Sequence, residues 1–213
     1  MNFDNISRRN FLRAMGISTA ALATHGLACS TKPTRPNIVL LMGDDIGYSD
    51  LGCYGSEIQT PNLDRLAHGG LRFKQFYNMA KCNPTRSSLF TGLYYGNELA
   101  ISIVSLLRDA GYSAKMSGKE HFDKWVPKDV YFANTFEDSF TFWATTNYFV
   151  PPSGKFDRPF FLNGKEMSAD EIEAEIEPKN KTDFITDYAL RYLDEMLERD
   201  QPFFLLLPYH AAH

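Results

Sequence analysis

Uninterrupted apolar segments alternate with amphipathic segments along the chain and predict alternating strands and helices. Residues 38–42 and 203–207 are apolar throughout, which is typical of strands buried on both faces of a parallel sheet. Residues 182–200 instead repeat apolar positions at helical spacing, directly before the second of these strands. Strands that alternate with helices predict an α/β sandwich with a mostly parallel central sheet.

The segments between these elements continue the same order. Thr60 and Pro61 predict the start of a helix that ends at Gly69 and Gly70, and the alternating residues 71–77 predict a strand. Residues 98–110 predict a helix ending at Gly111, followed by a strand over residues 112–116. Residues 123–180 are aromatic and interrupted by prolines, so we expect a cap over a pocket there rather than part of the sheet.

Composition narrows the class of protein. The chain has 22 basic and 26 acidic residues and a net charge of −4, which argues against a nucleic-acid-binding protein. The most apolar stretch, residues 14–28, is too short and too polar for a membrane span, which needs about 20 apolar residues. Cys29, Cys53 and Cys82 are too few and too widely spaced to predict a disulfide framework or a zinc ribbon.

Residues 1–28 have the layout of an export signal, with a basic region, a weakly apolar stretch and small residues. The adjacent Arg8 and Arg9, followed by Phe-Leu, predict the twin-arginine type and hence a periplasmic or extracellular protein. Cleavage at a small-residue site is expected, and lipidation at Cys29 is the alternative. Residues 29–36 form a predicted linker, and the folded domain is predicted to span residues 37–213.

Cys82 lies at a position where a reactive side chain is expected. Asn83 is a good N-cap and Pro84 suits the first helical position, so a helix should begin just after the thiol. A helix N-terminus stabilises anions and lowers the pKa of a thiol, and Arg86 lies about one turn further on. By this argument alone, a buried inert cysteine remains an equal alternative.

Residues 82–92 read CNPTRSSLFTG and resemble the signature of the type I sulfatases, which are formylglycine-dependent enzymes of the alkaline phosphatase superfamily. Thr85 stands where the family usually has serine. Residues 36–45, 60–67, 118–121 and 203–213 resemble further stretches of the same family, in the same order. The resemblance implies an alkaline phosphatase-like fold, of which residues 37–213 would be the N-terminal portion of the catalytic domain, truncated at the C-terminus.

The resemblance also implies hydrolysis of a sulfate ester. The negative charge on the sulfate oxygens must be neutralised before a nucleophile can attack the sulfur. Asp44 and Asp45 would bind one divalent cation, and their oxygen ligands suit calcium better than zinc. Cys82, oxidised to formylglycine by a formylglycine-generating enzyme, would be the third metal ligand and the nucleophile. Arg86 would hold the formylglycine.

Lys119 and His121 lie two residues apart near a strand end and would bind the sulfate oxygens. Glu120, between them, replaces an aromatic residue of the family motif and should face away. His213 would contact the sulfate or protonate the leaving oxygen, and His210 is the less favoured alternative. The implied partners are a sulfated small molecule or glycan, the modifying enzyme and the twin-arginine export machinery.

Two family features have no counterpart in the sequence: an Asp-Asn pair that completes the metal site and a further sulfate-binding lysine. Three hypotheses follow. The chain is part of an exported sulfatase, acting on a sulfated carbohydrate or an aryl sulfate; it is a phosphate or phosphonate monoester hydrolase of the same superfamily; or it is a non-catalytic remnant.

Overall fold

The computed structural model describes residues 35–94, 101–121, 135–143, 159–175 and 180–213. Two short 3₁₀ turns, Tyr48–Asp50 and Gly52–Tyr54, follow the first strand. The strands are β1 (Ile38–Met42), β2 (Ser113–Glu120), β3 (Asp138–Trp143), β4 (Phe160–Leu162), β5 (Lys165–Glu166) and β6 (Phe203–Pro208). The helices are α1 (Pro61–Gly69), α2 (Cys82–Thr91), α3 (Ile103–Asp109), α4 (Ala169–Glu175) and α5 (Lys181–Leu197). No helix in these ranges is long and apolar enough to cross a bilayer.

The six strands form one sheet in the order β1-β6-β2-β3-β4-β5. β1, β6, β2 and β3 are parallel to one another, whereas β4 and β5 continue the sheet as antiparallel strands. The prediction of a mostly parallel sheet is confirmed. Because β1, β6 and β2 run in the same direction, their carboxyl ends meet at one edge, where ligands bind in open α/β sheets.

Helices cover both faces of the sheet. On one face α5 packs its apolar stripe against β2, β3 and β6, and the ring of Tyr188 stacks on that of Phe140 with centroids 4.4 Å apart. On the other face the cluster around Ala114, Met116 and Leu206 includes Phe90 from α2 and Val104 from α3. The predicted sandwich is therefore confirmed, and each face has its own apolar cluster.

The predicted cap over residues 123–180 is wrong for part of that range. β3, β4 and β5 belong to the sheet, and Phe140, Phe142 and Phe160 are completely buried in its larger apolar cluster. The reason is visible in β3, where Phe140 and Phe142 alternate with polar residues at the spacing of a strand. The prolines at 151 and 152, which suggested a loop, lie outside the described residues.

Two further strand predictions need correction. Residues 71–77 form no strand, and their apolar side chains Leu71, Phe73, Phe76 and Tyr77 are exposed. β1 is half-buried on one face and exposed on the other, because it is the outermost strand of the described sheet; Val39 and Leu41 are 45% and 52% exposed. An apolar run thus did not distinguish a central strand from an edge strand.

The helix bounds also differ from the predictions. α3 begins at Ile103 with Ser102 as its N-cap, and the preceding residues of the predicted helix, 98–100, lie outside the described residues. β2 extends to Glu120 rather than ending at Met116. This extension places Lys119 within the strand and His121 immediately after it.

Candidate active site

Asp44 follows β1 at the carboxyl edge of the sheet and is buried. Its Oδ2 atom accepts a hydrogen bond from the Lys119 ammonium group and lies 3.7 Å from Nη2 of Arg86. Its Oδ1 atom accepts a hydrogen bond from the Cys82 thiol at 3.2 Å. Burial raises the pKa of Asp44, but hydrogen bonds from Lys119 and Cys82 and the charges of Lys119 and Arg86 together bring it below the usual value. Asp44 is therefore a stable carboxylate at neutral pH.

Cys82 is the first residue of α2, and Lys81 rather than Asn83 is the N-cap. The helix begins two residues earlier than predicted, and its first backbone hydrogen bond runs from the Thr85 amide to the Lys81 carbonyl oxygen at 3.0 Å. One turn along, Arg86 donates from Nε to the Cys82 sulfur at 3.2 Å. Burial raises the pKa of the thiol above its ordinary value, and the nearby positive charges do not reverse this. The expected lowering of the thiol pKa is thus wrong, because half-burial outweighs the helix end and Arg86.

Arg86 and Lys119 are joined through the backbone, since Arg86 Nη1 donates to the Lys119 carbonyl oxygen at 3.1 Å. Their side chains are 3% and 0% exposed. Gly118, just before Lys119, has φ of +142°, and a Cβ there would collide with the carbonyl oxygen of Pro208 in β6. Only glycine lets β2 approach β6 this closely and deliver Lys119 to Asp44.

His121 follows β2, near the ammonium group of Lys119 and the guanidinium group of Arg86. Burial lowers the pKa of His121, and the two nearby cations lower it further, so the imidazole is neutral at pH 7. Its Nδ1 atom is buried and has no hydrogen-bond partner among the described residues. Glu120 is buried beside Thr141 of β3, and burial raises the pKa of its carboxyl group.

Asp45 and His213 form the outer part of the site. His213 Nδ1 lies 2.5 Å from Asp45 Oδ2, and the two side chains are 39% and 63% exposed respectively. Ligand atoms of Asp44, Asp45 and His213 all lie within 4.8 Å of one another. His210, the alternative to His213, is instead buried against the edge of the Phe142 ring.

All the predicted site residues thus gather at one edge of the sheet. Asp44, Cys82, Arg86 and Lys119 are in direct contact, whereas Asp45 and His213 contact each other. The contact between Asp45 and His213 could not be predicted, because residue spacing does not reveal the path of the loop after β6. Two carboxylates and an imidazole at this separation can hold a divalent cation.

Comparisons with known proteins identify the family of the chain. The sequence model of the family described as Sulfatase matches residues 36–213. N-acetylgalactosamine-6-sulfatase of Rattus norvegicus is 29% identical over 95% of this chain and 44% of its own length. Arylsulfatase A of Homo sapiens is 42% identical over 40% of this chain and 21% of its own length. The chain thus spans less than half the length of these relatives.

Solved structures show the same fold. A structure of Ps i-CgsB in complex with k-i-k-neocarrahexaose superposes with a TM-score of 0.67 and 28% identity, over 84% of this chain and 46% of that one. The structure of BT4656 with its substrate D-glucosamine-2-N,6-O-disulfate superposes with a TM-score of 0.63 and 29% identity, over 84% of this chain and 35% of that one. The family match covers most of the chain, and the alkaline phosphatase-like fold is that of its structural neighbours. The chain belongs to the sulfatase family.

Proposed function

We propose that this protein hydrolyses a sulfate ester of a carbohydrate. The observation that carries the proposal is the contact of Asp44 with Cys82, Arg86 and Lys119 at the carboxyl edge of a sulfatase fold. Two structural neighbours contain a sulfated glucosamine and a neocarrahexaose, which supports a sulfated carbohydrate as the ligand class. An aryl sulfate is the alternative substrate within the same reaction.

The site offers positive charge where a sulfate would bind. Lys119 and Arg86 converge on Asp44, and His121 lies beside them as a neutral imidazole. Positive groups held rigidly by burial stabilise the negative charge that develops during transfer of an anionic group. His121, as a neutral imidazole, can donate a hydrogen bond to a sulfate oxygen, and His213 would contact the sulfate or protonate the departing alcohol oxygen.

Cys82 is the proposed nucleophile position. The raised pKa of its thiol means that the unmodified side chain is a poor nucleophile at neutral pH, which fits a residue that must be modified before it acts. Formylglycine at this position would supply a hydrated aldehyde with two hydroxyl groups. One would attack sulfur as the bond from sulfur to the alcohol oxygen breaks and the alcohol leaves, and the other would then expel sulfate and restore the aldehyde. Arg86 Nε, which contacts the Cys82 sulfur, would then hold the modified side chain in place.

Asp44 and Asp45 are the proposed ligands of a divalent cation, together with the modified side chain at position 82. Calcium is the ion that their oxygen atoms favour. The cation would neutralise sulfate oxygens when bound. Asp44 is preorganised for this role because Lys119, Cys82 and Arg86 together hold it as a carboxylate.

Turnover by the purified protein, produced together with a formylglycine-generating enzyme, tests the proposal. We expect hydrolysis of a sulfated glucosamine or an aryl sulfate, and no turnover after Cys82→Ala. Cys53→Ala is the matched control, since Cys53 is also a partly buried free cysteine but lies outside the site. Faster hydrolysis of a phosphonate monoester would favour the related hydrolase class. No turnover of any ester would favour a non-catalytic protein.

We further propose that the protein is exported through the twin-arginine route, which the arrangement of Arg8 and Arg9 supports. These residues lie outside the described residues, so the support is that of the sequence alone. Fusing residues 1–36 to a reporter protein should direct it out of a bacterial cytoplasm, and replacing both arginines with lysine should prevent this. Export of the double-lysine fusion would contradict the twin-arginine assignment.

A further inference from the structure

We propose that Trp143, the last residue of β3, stacks on the sugar ring of the substrate and determines specificity for sulfated carbohydrates. This inference rests on the proposed function, because it names the residue with which the same site would recognise the carbohydrate part of its substrate. It follows from the position of Trp143 in the sheet and from the exposure of its ring.

The residues of the candidate site follow the order of the strands along the carboxyl edge of the sheet. Asp44 follows β1, and Lys119 and His121 flank the last residue of β2, two strands further along. β3 is the next strand, and Trp143 is in register with Glu120, the residue between Lys119 and His121. Neighbouring strands lie about 4.8 Å apart, so a substrate whose sulfate is held at Lys119 can extend its sugar ring over the end of β3.

Trp143 also lies on the side of the sheet that carries the proposed nucleophile. Phe140 and Phe142 of β3 belong to the apolar cluster that α5 covers. Because side chains alternate along a strand, Trp143 points to the opposite face, which α2 covers through Phe90. Cys82 is the first residue of α2, so the nucleophile position and the indole ring lie on the same side of the sheet.

The indole ring of Trp143 can be reached by a ligand. Trp143 is 38% exposed, whereas the four residues before it in β3 are buried. Phe140 and Phe142 contact several other rings, but Trp143 makes no ring contact and no hydrogen bond within the described part of the chain. Tryptophan combines a flat apolar ring with one N–H donor, and in Trp143 both can be used by a bound molecule.

A sugar ring matches these two groups. A pyranose presents C–H groups on its faces, while its hydroxyl groups point outward from the ring. The C–H groups can lie on the π-face of the indole, which carries partial negative charge, and Nε1 can donate a hydrogen bond to a hydroxyl or sulfate oxygen. Trp143 would thus recognise the carbohydrate, while Lys119 and Arg86 recognise the sulfate.

Tyr48 is a second exposed aromatic residue near the site, three positions after Asp45. Its ring packs against that of Tyr54, with centroids 4.1 Å apart, so one of its faces is covered. Tyr48 also follows β1, which is three strands away from β3 in the sheet. It is therefore less suited to stacking on the substrate and provides a control.

Fluorescence titration tests whether the sugar reaches Trp143. The chain has two tryptophans, so Trp125→Phe leaves Trp143 as the only one that emits. In this variant, combined with Cys82→Ala to prevent turnover, a sulfated glucosamine or a sulfated neocarrahexaose should change the emission of Trp143. Inorganic sulfate, which has no sugar ring, should change it much less. No change with either carbohydrate would overturn the inference.

Calorimetry with the same carbohydrates, in the Cys82→Ala protein, measures the contribution of the ring to affinity. Trp143→Ala should weaken carbohydrate binding about tenfold, and Trp143→Phe, which keeps an aromatic face, should retain most of the affinity. Tyr48→Ala should change it by less than about twofold. Binding of inorganic sulfate should be the same in all of these proteins. Equal carbohydrate affinity in Trp143→Ala, or an equal loss of inorganic sulfate binding, would overturn the inference.

Turnover of the modified enzyme separates this inference from the proposed function. Trp143→Ala should raise KM for the carbohydrate about tenfold and leave kcat nearly unchanged, because the ring contributes binding and no chemistry. Hydrolysis of carbohydrate sulfates with an unchanged KM would contradict the role of Trp143 and retain the proposed function. Carbohydrate binding that depends on Trp143, in a protein that hydrolyses no sulfate ester, would retain the role of Trp143 and contradict the proposed function.

Discussion

The candidate site has two parts that differ in burial. In the inner part, the side chains of Asp44, Arg86 and Lys119 are 6%, 3% and 0% exposed. In the outer part, the side chains of Asp45 and His213 are 63% and 39% exposed. The inner part therefore consists of charges that depend on one another for their stability, while the outer part consists of groups whose charges water can solvate.

Because of this difference in burial, substitutions in the two parts should affect different properties of the protein. A buried ion pair that loses one partner leaves an uncompensated charge, which is costly, whereas an exposed pair contributes little to stability. Substitutions in the inner part should thus reduce the stability of the fold together with any activity. Substitutions in the outer part should change ion or substrate binding in a protein that remains folded.

The largest effect is expected from Lys119→Met, which removes the ammonium group from Asp44 and keeps the length of the side chain. The free energy of unfolding should fall by about 3–5 kcal/mol, because Arg86 alone must then compensate the buried carboxylate. Urea unfolding followed by circular dichroism measures the change. Lys165→Met, at an exposed lysine of β5, is the control and should change stability by less than about 0.5 kcal/mol. A similar stability for both variants would remove the distinction between the two parts.

Glu120→Gln, beside the inner part, should have a smaller effect and should increase the free energy of unfolding rather than lower it. Burial raises the pKa of Glu120, so the folded protein binds its proton more tightly than the unfolded chain does. The wild type therefore loses stability as the pH rises from the unfolded value of 4.5 through the raised folded value, and this loss persists at pH 7. Glutamine cannot ionise, so the variant should be more stable than the wild type at pH 7.

The pH dependence of unfolding checks this prediction. The advantage of Glu120→Gln should shrink as the pH is lowered below 4.5, where the wild-type carboxyl group is protonated in both states. Glu173→Gln is the control, since Glu173 is exposed on α4 and should show no such trend. A variant that is less stable than the wild type at pH 7 would show that Glu120 makes a stabilising contact as a carboxylate.

The smallest effect on stability is expected from His213→Ala in the outer part. Its imidazole is partly exposed and contacts an exposed carboxylate, so the free energy of unfolding should change by less than about 0.5 kcal/mol. Thermal unfolding without added metal measures this. A loss of stability comparable to that of Lys119→Met would mean that the outer part also stabilises the fold. The distinction between the two parts of the site would then be wrong.

The fold class could be predicted because the order of elements is present in local patterns. β1 and β6 are predictable from their uninterrupted apolar runs, and α5 from apolar positions at helical spacing. β3 was missed because its two buried phenylalanines lie in a segment rich in prolines and aromatic residues. Burial of β1 was overestimated because an apolar run does not report which strands are neighbours in the sheet.

The members of the site could also be predicted, but not their physical states. The motif around Cys82 and the aspartates after β1 named residues that the fold does bring together. The thiol pKa was predicted in the wrong direction because burial depends on packing between distant segments. The pairing of Asp45 with His213 depends on backbone bonds between Asp44 and residues 211–212, which are far apart in the sequence.

The central claim is that Cys82 is converted to formylglycine and acts as the nucleophile of a sulfatase. Mass spectrometry of the peptide that contains Cys82, from protein produced with a formylglycine-generating enzyme, tests this most directly, with an aldehyde-specific hydrazide as the chemical check. We expect position 82 to carry the aldehyde and Cys53 to remain a thiol. Sulfate ester hydrolysis by protein in which position 82 is entirely an unmodified cysteine would contradict it.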